Sequence, residues 1–400
     1  MIKAYFKNTF ATFFILAFLF VPFTSGGINY QYQVTEYLFS KPVIFIQDHF
    51  FKQSIKNIDF SSDTISLNIL FLLLLLISAV ISIILNKSKN TTIKFIPVSK
   101  TISSYYIAFI LLKYGIDKIF KKQFYLPEPN ILYAQFGDLT KDTLYWSVMG
   151  LSYSYSICTG IFEVLITILI LIKKTRVFGL CLAIAALINI IIINFSFDIS
   201  VKTFSIFLFL VSLFALSAYI KPLCDFFFAG KTTSLNPATH ADFKTSRLKI
   251  LQYLSVTGFI AYILFPYLSA ASFNDDNADR PLLHGAYKIE DFVVNQDTLD
   301  KMNFPVKKVF IHRNNYIIFQ LNDGKMIDYF FEINPIKKQL TLQDYKKNNS
   351  IVFYDCVNKT GSLTLRFTTG KKWLMKLNKL DWRALPALQD KLHLTIDEIQ

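Results

Sequence analysis

The sequence predicts an all-α polytopic membrane bundle of about seven spans, followed by an antiparallel β-rich domain on the extracytoplasmic side. The first observation is composition. The 400 residues are 53% hydrophobic and 18% charged, with a mean hydropathy of +0.39, whereas soluble domains carry about 25% charged residues. The second observation is a series of long apolar runs before residue 270, and the third is a change to short alternating segments after residue 274.

Six segments carry the prediction of a helical bundle. A helix needs roughly 20 apolar residues to cross a bilayer core about 30 Å thick. Residues 64–86 meet this requirement without interruption, whereas residues 101–120 are weaker because Lys113, Asp117 and Lys118 interrupt them. The other four predicted spans are residues 150–172, 177–197, 201–220 and 250–268.

A shorter apolar segment, residues 10–23, follows Lys3 and Lys7. It fits either a retained anchor or a signal peptide cleaved near Thr24-Ser25-Gly26. Alternating the spans then places the N-terminus in the cytoplasm, if this segment is retained, and the C-terminal domain outside it. We therefore expect a multi-pass protein of the plasma (inner) membrane. Lysine and arginine favour this orientation, because they concentrate in the predicted cytoplasmic loops, residues 87–100, 173–176 and 221–249.

The last third of the chain has the period-2 alternation of half-buried strands. Asn322-Asp323-Gly324 is a hairpin signal, since Asn and Gly tolerate the positive φ of tight turns. The pattern predicts a meander or small barrel, lipocalin-like in outline, which either encloses a ligand or is filled by its own side chains. The predicted strands are residues 285–293, 307–312, 316–321, 326–331, 339–342, 351–354, 362–367 and 373–377.

Four regions follow from these segments. They are residues 1–100 with the N-terminal spans and an outer loop, 101–222 with a helical membrane core, 223–279 with a cytoplasmic loop and the last span, and 280–400 with the β-domain.

Several function classes are excluded by composition and motif. The four cysteines, Cys158, Cys181, Cys224 and Cys356, are far apart and form no C-x-x-C, which excludes a disulfide-dense scaffold and a structural zinc site. We find no Walker A loop, no G-x-G-x-x-G and no H-E-x-x-H. The net charge of +14 does not require nucleic acid, because much of the surplus belongs to the cytoplasmic loops. The expected partner is therefore the lipid bilayer, and the sequence identifies no metal site and no catalytic residue.

Polar residues inside the predicted spans are the candidate site. An ionisable side chain there costs about 2.5–3.5 kcal/mol on insertion scales and usually faces a bundle interior. Lys113 and Asp117 are spaced i,i+4, and Glu163 lies in the middle of its span. We expect these groups to line one polar pocket that opens to the extracytoplasmic side. The pocket candidates are Lys113, Asp117, Lys118, Glu163, Asn189, Asn194, Asp198 and Lys202.

A structural interpretation of the same residues stays open. Lys118 and Lys202 could extend to the membrane interface, and Asn189 and Asn194 could join neighbouring helices. Glu163 is the hardest to explain in this way, because a carboxyl at mid-span must be neutral or paired.

These residues and their neighbours form a series of motifs, which are Tyr114-Gly115-x-x-Lys118-x-Phe120-x-x-Gln123-Phe124, Gly137-Asp138, Leu144-x-Trp146-x-x-Met149-Gly150-x-Ser152-x-x-Tyr155, Gly160-x-x-Glu163, Asn194-Phe195-x-x-Asp198-x-x-Val201-Lys202-x-x-Ser205 and Gly285-x-Tyr287-x-Ile289-Glu290-x-Phe292-Val293-x-Asn295. Together the motifs resemble those of the DoxX-like family of integral membrane proteins.

The resemblance implies a four-helix membrane core over about residues 101–221 and a bacterial form with a β-rich extension. It also implies that Lys118, Glu163, Asn194, Asp198 and Lys202 are the polar positions of the family. DoxX-named proteins include a subunit of a thiosulfate:quinone oxidoreductase. For the long form, however, the resemblance implies no specific reaction.

The leading functional hypothesis is an accessory factor that holds a lipid or quinone-like ligand in the polar pocket. A membrane subunit of a quinone-linked oxidoreductase acting on small sulfur compounds is the alternative. An envelope scaffold with a protein partner, or a transporter, is a further one. A quinone is the one cofactor these hypotheses suggest.

Overall fold

The computed structural model describes residues 2–22, 29–51, 58–86, 89–235, 246–269, 274–357, 361–368, 372–389 and 395. The chain divides into two compact units, which alternate along the sequence. The helical unit contains Met1–Gln123 and Ile157–Ala270, and the barrel unit contains Phe124–Ser156 and Ala271–Gln400.

Eleven α-helices are formed by the described residues, in the order expected for a mainly helical first part. They are α1 (Ile2–Phe20), α2 (Tyr30–Ile46), α3 (Ile65–Leu85), α4 (Lys89–Ile119), α5 (Pro129–Leu132), α6 (Lys141–Leu151), α7 (Tyr153–Leu171), α8 (Arg176–Ser196), α9 (Lys202–Leu216), α10 (Ile220–Ala229) and α11 (Ser246–Leu268).

Within the described residues, five helices are long and apolar enough to cross a membrane. These are α3, α4 from Phe95 onward, α7, α8 and α11. A sixth would count if α9 and α10, which are bent by 81° at their junction, formed one span. The predicted helices at residues 64–86, 177–197 and 250–268 are confirmed as helices.

Local side-chain chemistry sets the ends of α3. Thr64 has an extended backbone and its hydroxyl accepts a hydrogen bond from the Leu67 backbone N–H at 3.2 Å, the usual N-cap arrangement. The Asn86 amide donates to the Ser82 carbonyl at 2.8 Å where the helix ends. Both residues bound the most hydrophobic of the candidate membrane spans, so the sequence locates this helix accurately.

Two predicted spans differ from the structure. The segment at residues 150–172 is broken at Ser152, whose backbone leaves the helical region and whose hydroxyl accepts from the Tyr155 N–H at 3.3 Å. Hydroxyl side chains compete in this way with helical hydrogen bonds. The segment at residues 201–220 is two helices, because the chain turns at residues 217–219 and Pro222 lies in the first turn of α10, where a missing N–H is tolerated.

Helix α2 lies in the predicted outer loop and was not predicted. Asn29 caps it by accepting from the Tyr32 N–H at 3.1 Å. Its buried residues Thr35, Phe39 and Val43 are spaced by four, so they form one apolar stripe. That spacing and the cap are signals that the sequence contains.

The barrel unit contains a closed antiparallel barrel. The strands are β1 (Gly285–Val294), β2 (Asp297–Thr298), β3 (Val306–Ile311), β4 (Tyr316–Leu321), β5 (Met326–Asn334), β6 (Gln339–Gln343), β7 (Asn349–Val357), β8 (Ser362–Phe367) and β9 (Trp373–Leu380). Each strand from β3 to β9 pairs with its neighbour in sequence, and β1 pairs with both β3 and β9 to close the sheet. The short β2 adds only to the end of β1.

These bounds confirm the eight predicted strands, two of them, β4 and β8, to the residue. The predicted turn between β4 and β5 is also confirmed: Gly324 has φ +87°, and the Leu321 N–H donates to the Lys325 carbonyl at 2.8 Å. Alternation therefore set both the faces and the register of this sheet.

The inside of the barrel is filled by its own side chains. Inward residues of successive strands form one apolar cluster, and Phe292, Val309, Leu340, Leu365 and Met375 within it have no exposed surface. A smaller cluster covers the outside of β1, β3 and β4. There, Phe310 and Trp382 pack with residues of the segment before α6, such as Leu126 and Tyr133. Of the two possibilities the sequence left open, the structure has the packed interior.

The filled interior predicts that alanine substitutions at two nearby aliphatic residues differ strongly in their effect on stability. Leu340 is fully buried and Ile336 is 96% exposed. We expect Leu340→Ala to destabilise the barrel unit by about 2–5 kcal/mol and Ile336→Ala to change its stability by less than about 0.5 kcal/mol. Thermal unfolding followed by tryptophan fluorescence measures this, because Trp146, Trp373 and Trp382 all belong to the barrel unit. Equal effects of the two substitutions would contradict the packed interior.

Candidate functional site

Helices α4 and α7 cross at two glycines. A Cβ atom added to Gly115 would lie 2.8 Å from the Gly160 carbonyl oxygen, and one added to Gly160 would lie 2.6 Å from the Gly115 carbonyl oxygen. Farther along, the Thr167 hydroxyl donates to the Ala108 carbonyl at 2.9 Å. Residue numbers thus rise in one helix as they fall in the other, so the two helices are antiparallel. Only glycine allows backbones to approach this closely.

One turn beyond each glycine, Lys118 and Glu163 form a buried ion pair. Lys118 Nζ donates to both carboxylate oxygens of Glu163 at 2.7 Å, and the two side chains are 9% and 7% exposed. The Cα–Cβ bonds of a helix tilt toward its N-terminus, so in this antiparallel pair both side chains lean toward the glycine crossing and meet there. A buried carboxylate and ammonium need such a partner, because removing one of them costs about 3–5 kcal/mol.

Helix α11 contacts a second ion pair of α4 through Tyr267. Lys113 Nζ lies 2.5 Å from Asp117 Oδ2 and donates to the Tyr267 hydroxyl at 3.1 Å. The Tyr267 hydroxyl in turn donates to the other oxygen of Asp117. Asp117 and Lys118 are consecutive residues of α4, so the two ion pairs lie next to each other on this helix. We call Lys113, Asp117, Lys118, Glu163 and Tyr267 the ionic network.

An apolar groove of about 660 Å³ runs along the same two helices, α4 and α11. Its walls include Phe109 and Ile110 of α4 and Val256 and Phe259 of α11. Phe109 lies one helical turn before Lys113, on the same face of α4, and its ring stacks on Phe259 at 4.6 Å between centroids. The groove, which we call the α4–α11 groove, therefore ends one helical turn before Lys113. Its lining contains no residue of the ionic network, and Leu112, Ile116 and Ile263 pack with Phe109 and Tyr267.

Three of the predicted residues form a separate group at the turn between α8 and α9. The Asn194 amide donates to Ser205 Oγ at 3.1 Å, and Lys202 Nζ lies 2.6 Å from Asp198 Oδ1. Asp63 accepts from the backbone N–H groups of Lys202 and Thr203 at 2.9 and 2.7 Å, which caps the N-terminus of α9. These contacts hold a turn together.

The predicted pocket residues thus belong to two groups of contacts. Lys113, Asp117, Lys118 and Glu163 belong to the ionic network, whereas Asn194, Asp198 and Lys202 belong to the α8–α9 turn. Asn189 is exposed on the surface of α8. Sequence reasoning missed Tyr267 and Asp63, and only Asp63 had a local signal, because Asp63-Thr64 directly precedes a helix.

One comparison with known proteins finds a relative. Over 111 residues, the chain is 32% identical to "Uncharacterized protein YwoB" of Bacillus subtilis (strain 168), a stretch that covers 28% of this chain and 70% of YwoB. The chain belongs to the YwoB family. No family model matches the sequence, and no solved structure matches it. The name of YwoB states no activity, so the family brings no substrate or reaction to this chain, and the resemblance to DoxX-like proteins stays a prediction.

A second charged cluster of this YwoB-family chain lies in the barrel unit. Glu128, which is 4% exposed, accepts hydrogen bonds from the Arg313 guanidinium and the Arg313 backbone N–H, and lies 2.9 Å from His284 Nε2. Arg313 also pairs with Asp275. Among the described residues, no three His, Cys, Asp or Glu side chains are grouped as metal ligands. The cluster joins the segment before α6 to the start of the barrel.

The surroundings of Glu128 lower the pKa of its carboxyl. Burial by itself raises the pKa of the Glu128 carboxyl, but the hydrogen bonds from His284 and Arg313 outweigh it and lower the pKa to about 2. An ordinary glutamate titrates near 4.3. Since the pKa of Glu128 in the folded protein lies below its pKa in the unfolded chain, the ionised carboxylate contributes roughly 3 kcal/mol to the free energy of unfolding. That stability is present above about pH 4.3 and is lost as the pH falls toward about 2.

The lowered pKa of Glu128 predicts how acid affects the stability of the barrel unit. Between pH 5 and about pH 2, the wild type should lose more stability than Glu128→Gln, whose side chain does not titrate. Tryptophan fluorescence during thermal unfolding measures both. Asp355→Asn is the control, because Asp355 pairs with Lys338 at the surface, where both side chains are 64% exposed. A pH dependence of Glu128→Gln equal to that of the wild type would contradict the assignment.

The close contact of α4 and α7 at Gly115 and Gly160 predicts the effect of adding a methyl group there. Gly160→Ala should lower the stability of the helical unit by about 1–3 kcal/mol, because the new methyl group meets the Gly115 carbonyl. Gly258→Ala is the matched control, since a Cβ there meets nothing within 4 Å. Circular dichroism at the helical minimum during heating compares them. A control that is as unstable as Gly160→Ala would show that the contact is unimportant.

Proposed function

We propose that the protein is a multi-pass protein of the inner membrane that binds a quinone-like or lipid amphiphile as an accessory factor. The headgroup lies at the ionic network and the tail lies in the α4–α11 groove. The barrel unit lies on the extracytoplasmic side. The apolar helices and the basic residues of the loops at 173–176 and 221–249 support this location.

The single observation that carries the proposal is the position of the groove beside the network. Both use α4 and α11, and one helical turn separates Phe109 in the groove wall from Lys113 in the network. An amphiphile has this same sequence of polar and apolar parts. The volume of about 660 Å³ is in the range of small-molecule sites, about 300–1,000 Å³.

The chemistry of the network suits a headgroup with carbonyl oxygens. Lys113 and Lys118 are the N–H donors that can turn to such an oxygen, whereas the single hydroxyl proton of Tyr267 is donated to Asp117. Within the five residues of the ionic network, Asp117 and Glu163 balance Lys113 and Lys118. The Lys122 ammonium lies 4.8 Å from the centre of the Tyr267 ring and adds a positive charge beside them. When bound, a quinone would supply electron transfer to the site. The residues of this chain would bind and orient its headgroup, and Glu163 would accept a proton.

A second candidate function, an envelope scaffold, is favoured by the filled barrel. An interior packed with apolar side chains leaves the outer surface of the barrel as its means of interaction. That surface carries exposed apolar residues on β5 to β7, such as Ile327, Ile351 and Phe353. In this function, the ionic network would only fasten the helices.

The leading proposal predicts the loss of a co-purifying molecule. Organic extraction and mass spectrometry of the purified wild type should detect a quinone or a defined lipid. Glu163→Gln should reduce the amount by about tenfold or more, because it removes the carboxylate that holds the Lys118 ammonium in place, and a hydrogen bond from that charged donor is worth about 1.5–3 kcal/mol. Ser255→Trp should reduce it as well, because Ser255 lines the groove and the indole would occupy it.

Matched controls separate binding from folding. Asp225→Asn removes a carboxylate that pairs with Lys231 at 3.7 Å, and Thr257→Trp adds an indole to α11 at a residue outside the groove lining. Both should retain the molecule. The exchanged pair Lys118→Glu with Glu163→Lys restores the ion pair but not the donor positions, so it should rescue stability without rescuing binding. Generic membrane lipid in equal amounts in all variants would overturn the proposal and favour the scaffold.

A further inference from the structure

The other end of α4 forms a second groove with a different character. Its volume is about 760 Å³. Most of its wall is aromatic or aliphatic, with Phe6, Phe10 and Phe14 of α1 and Phe214 of α9 among the lining residues. Two lysines, Lys7 and Lys100, are the charged residues of the lining. No carboxylate lines this groove in the described part of the chain.

Lys100 is a buried lysine with no partner of opposite charge among the residues that the structure describes. It is 9% exposed, and its ammonium lies 6.0 Å from the centre of the Phe214 ring. In the part of the chain that the structure describes, no carboxylate lies within ion-pair distance of Lys100 or Lys7. A buried charge normally has a partner of opposite sign. Lys118, on the same helix, has one in Glu163.

We propose that this groove binds one anionic phospholipid, with its phosphate between Lys7 and Lys100 and an acyl chain along the phenylalanine wall. The two positive charges complement a net negative headgroup. A zwitterionic headgroup would bring its own cation close to the two lysines, so we expect it to bind more weakly. The phenylalanines explain why the occupant is a lipid: a free phosphate would leave the apolar wall uncovered.

This site is independent of the ionic network. Lys100 and Lys113 are 13 positions apart on α4, which corresponds to about 20 Å along the helix. The inference therefore goes beyond the proposed amphiphile site. A variant of one site should leave the other unaffected.

Native mass spectrometry of the full chain in detergent tests the inference. The protein is incubated with phosphatidylglycerol and phosphatidylcholine of the same acyl chains in equal amounts. The wild type should retain phosphatidylglycerol preferentially, by about fivefold for each lysine that contacts the headgroup. Lys100→Gln should lower this preference by about that factor, whereas Lys100→Arg should keep most of it.

Two further variants keep the test decisive. Ser217 lines the groove and is exposed, so Ser217→Phe should fill the groove and abolish the preference while both lysines remain. Lys221→Gln, at an exposed lysine outside the lining, should leave the preference unchanged.

Three outcomes of the lipid comparison would overturn the proposal. They are equal retention of the two lipids by the wild type, an undiminished preference in Lys100→Gln, and an equal loss in Lys221→Gln, which would show a general effect of charge. Competition by inorganic phosphate as strong as that by phosphatidylglycerol would also overturn it, because it would make the occupant a free anion.

Discussion

The helical unit depends on the contact between Gly115 and Gly160. Each glycine presents its backbone to the carbonyl of the other, and any side chain at either position would separate α4 from α7. The close approach in turn lets the tilted side chains of Lys118 and Glu163 meet at 2.7 Å. Two charges are buried as a result, and their separation would be far more costly than that of an exposed pair.

Helix α4 carries both sites because it contacts most of the helical unit. It packs against α1, α9 and α11 as well as α7. One end of α4 therefore contributes lysines that carboxylates of α4 and α7 neutralise, and the other end contributes a lysine beside phenylalanines of α1 and α9. The position of each lysine along α4 therefore determines whether carboxylates or aromatic rings surround it.

Much of the fold could be predicted from the sequence, and what could not be predicted depends on distant contacts. Strand alternation is local, so β4 and β8 were predicted to the residue. The turn was predicted from Asn322-Asp323-Gly324, and Gly324 has the positive φ that such a turn needs. The break at Ser152 depends on a competing hydroxyl, which composition over a 20-residue window does not detect. Tyr267 reaches the ionic network across 150 positions of sequence from Asp117. No periodicity predicts such a contact, so one pocket was expected where the structure has two groups.

The balance of charge separates the two proposed ligands by a physical criterion. In the ionic network, two carboxylates match two lysines, so an anionic headgroup would have to break an existing ion pair, whereas a neutral headgroup with carbonyl oxygens would need only hydrogen bonds. At the opposite end of α4, Lys7 and Lys100 face no carboxylate among the lining residues, so an anion there would bind without displacing anything. Two apolar grooves of similar size would thus select different amphiphiles through the net charge at one end of each. This difference follows from where Asp117 and Glu163 occur in the sequence, because a carboxylate one turn from Lys100 would make the second site neutral as well.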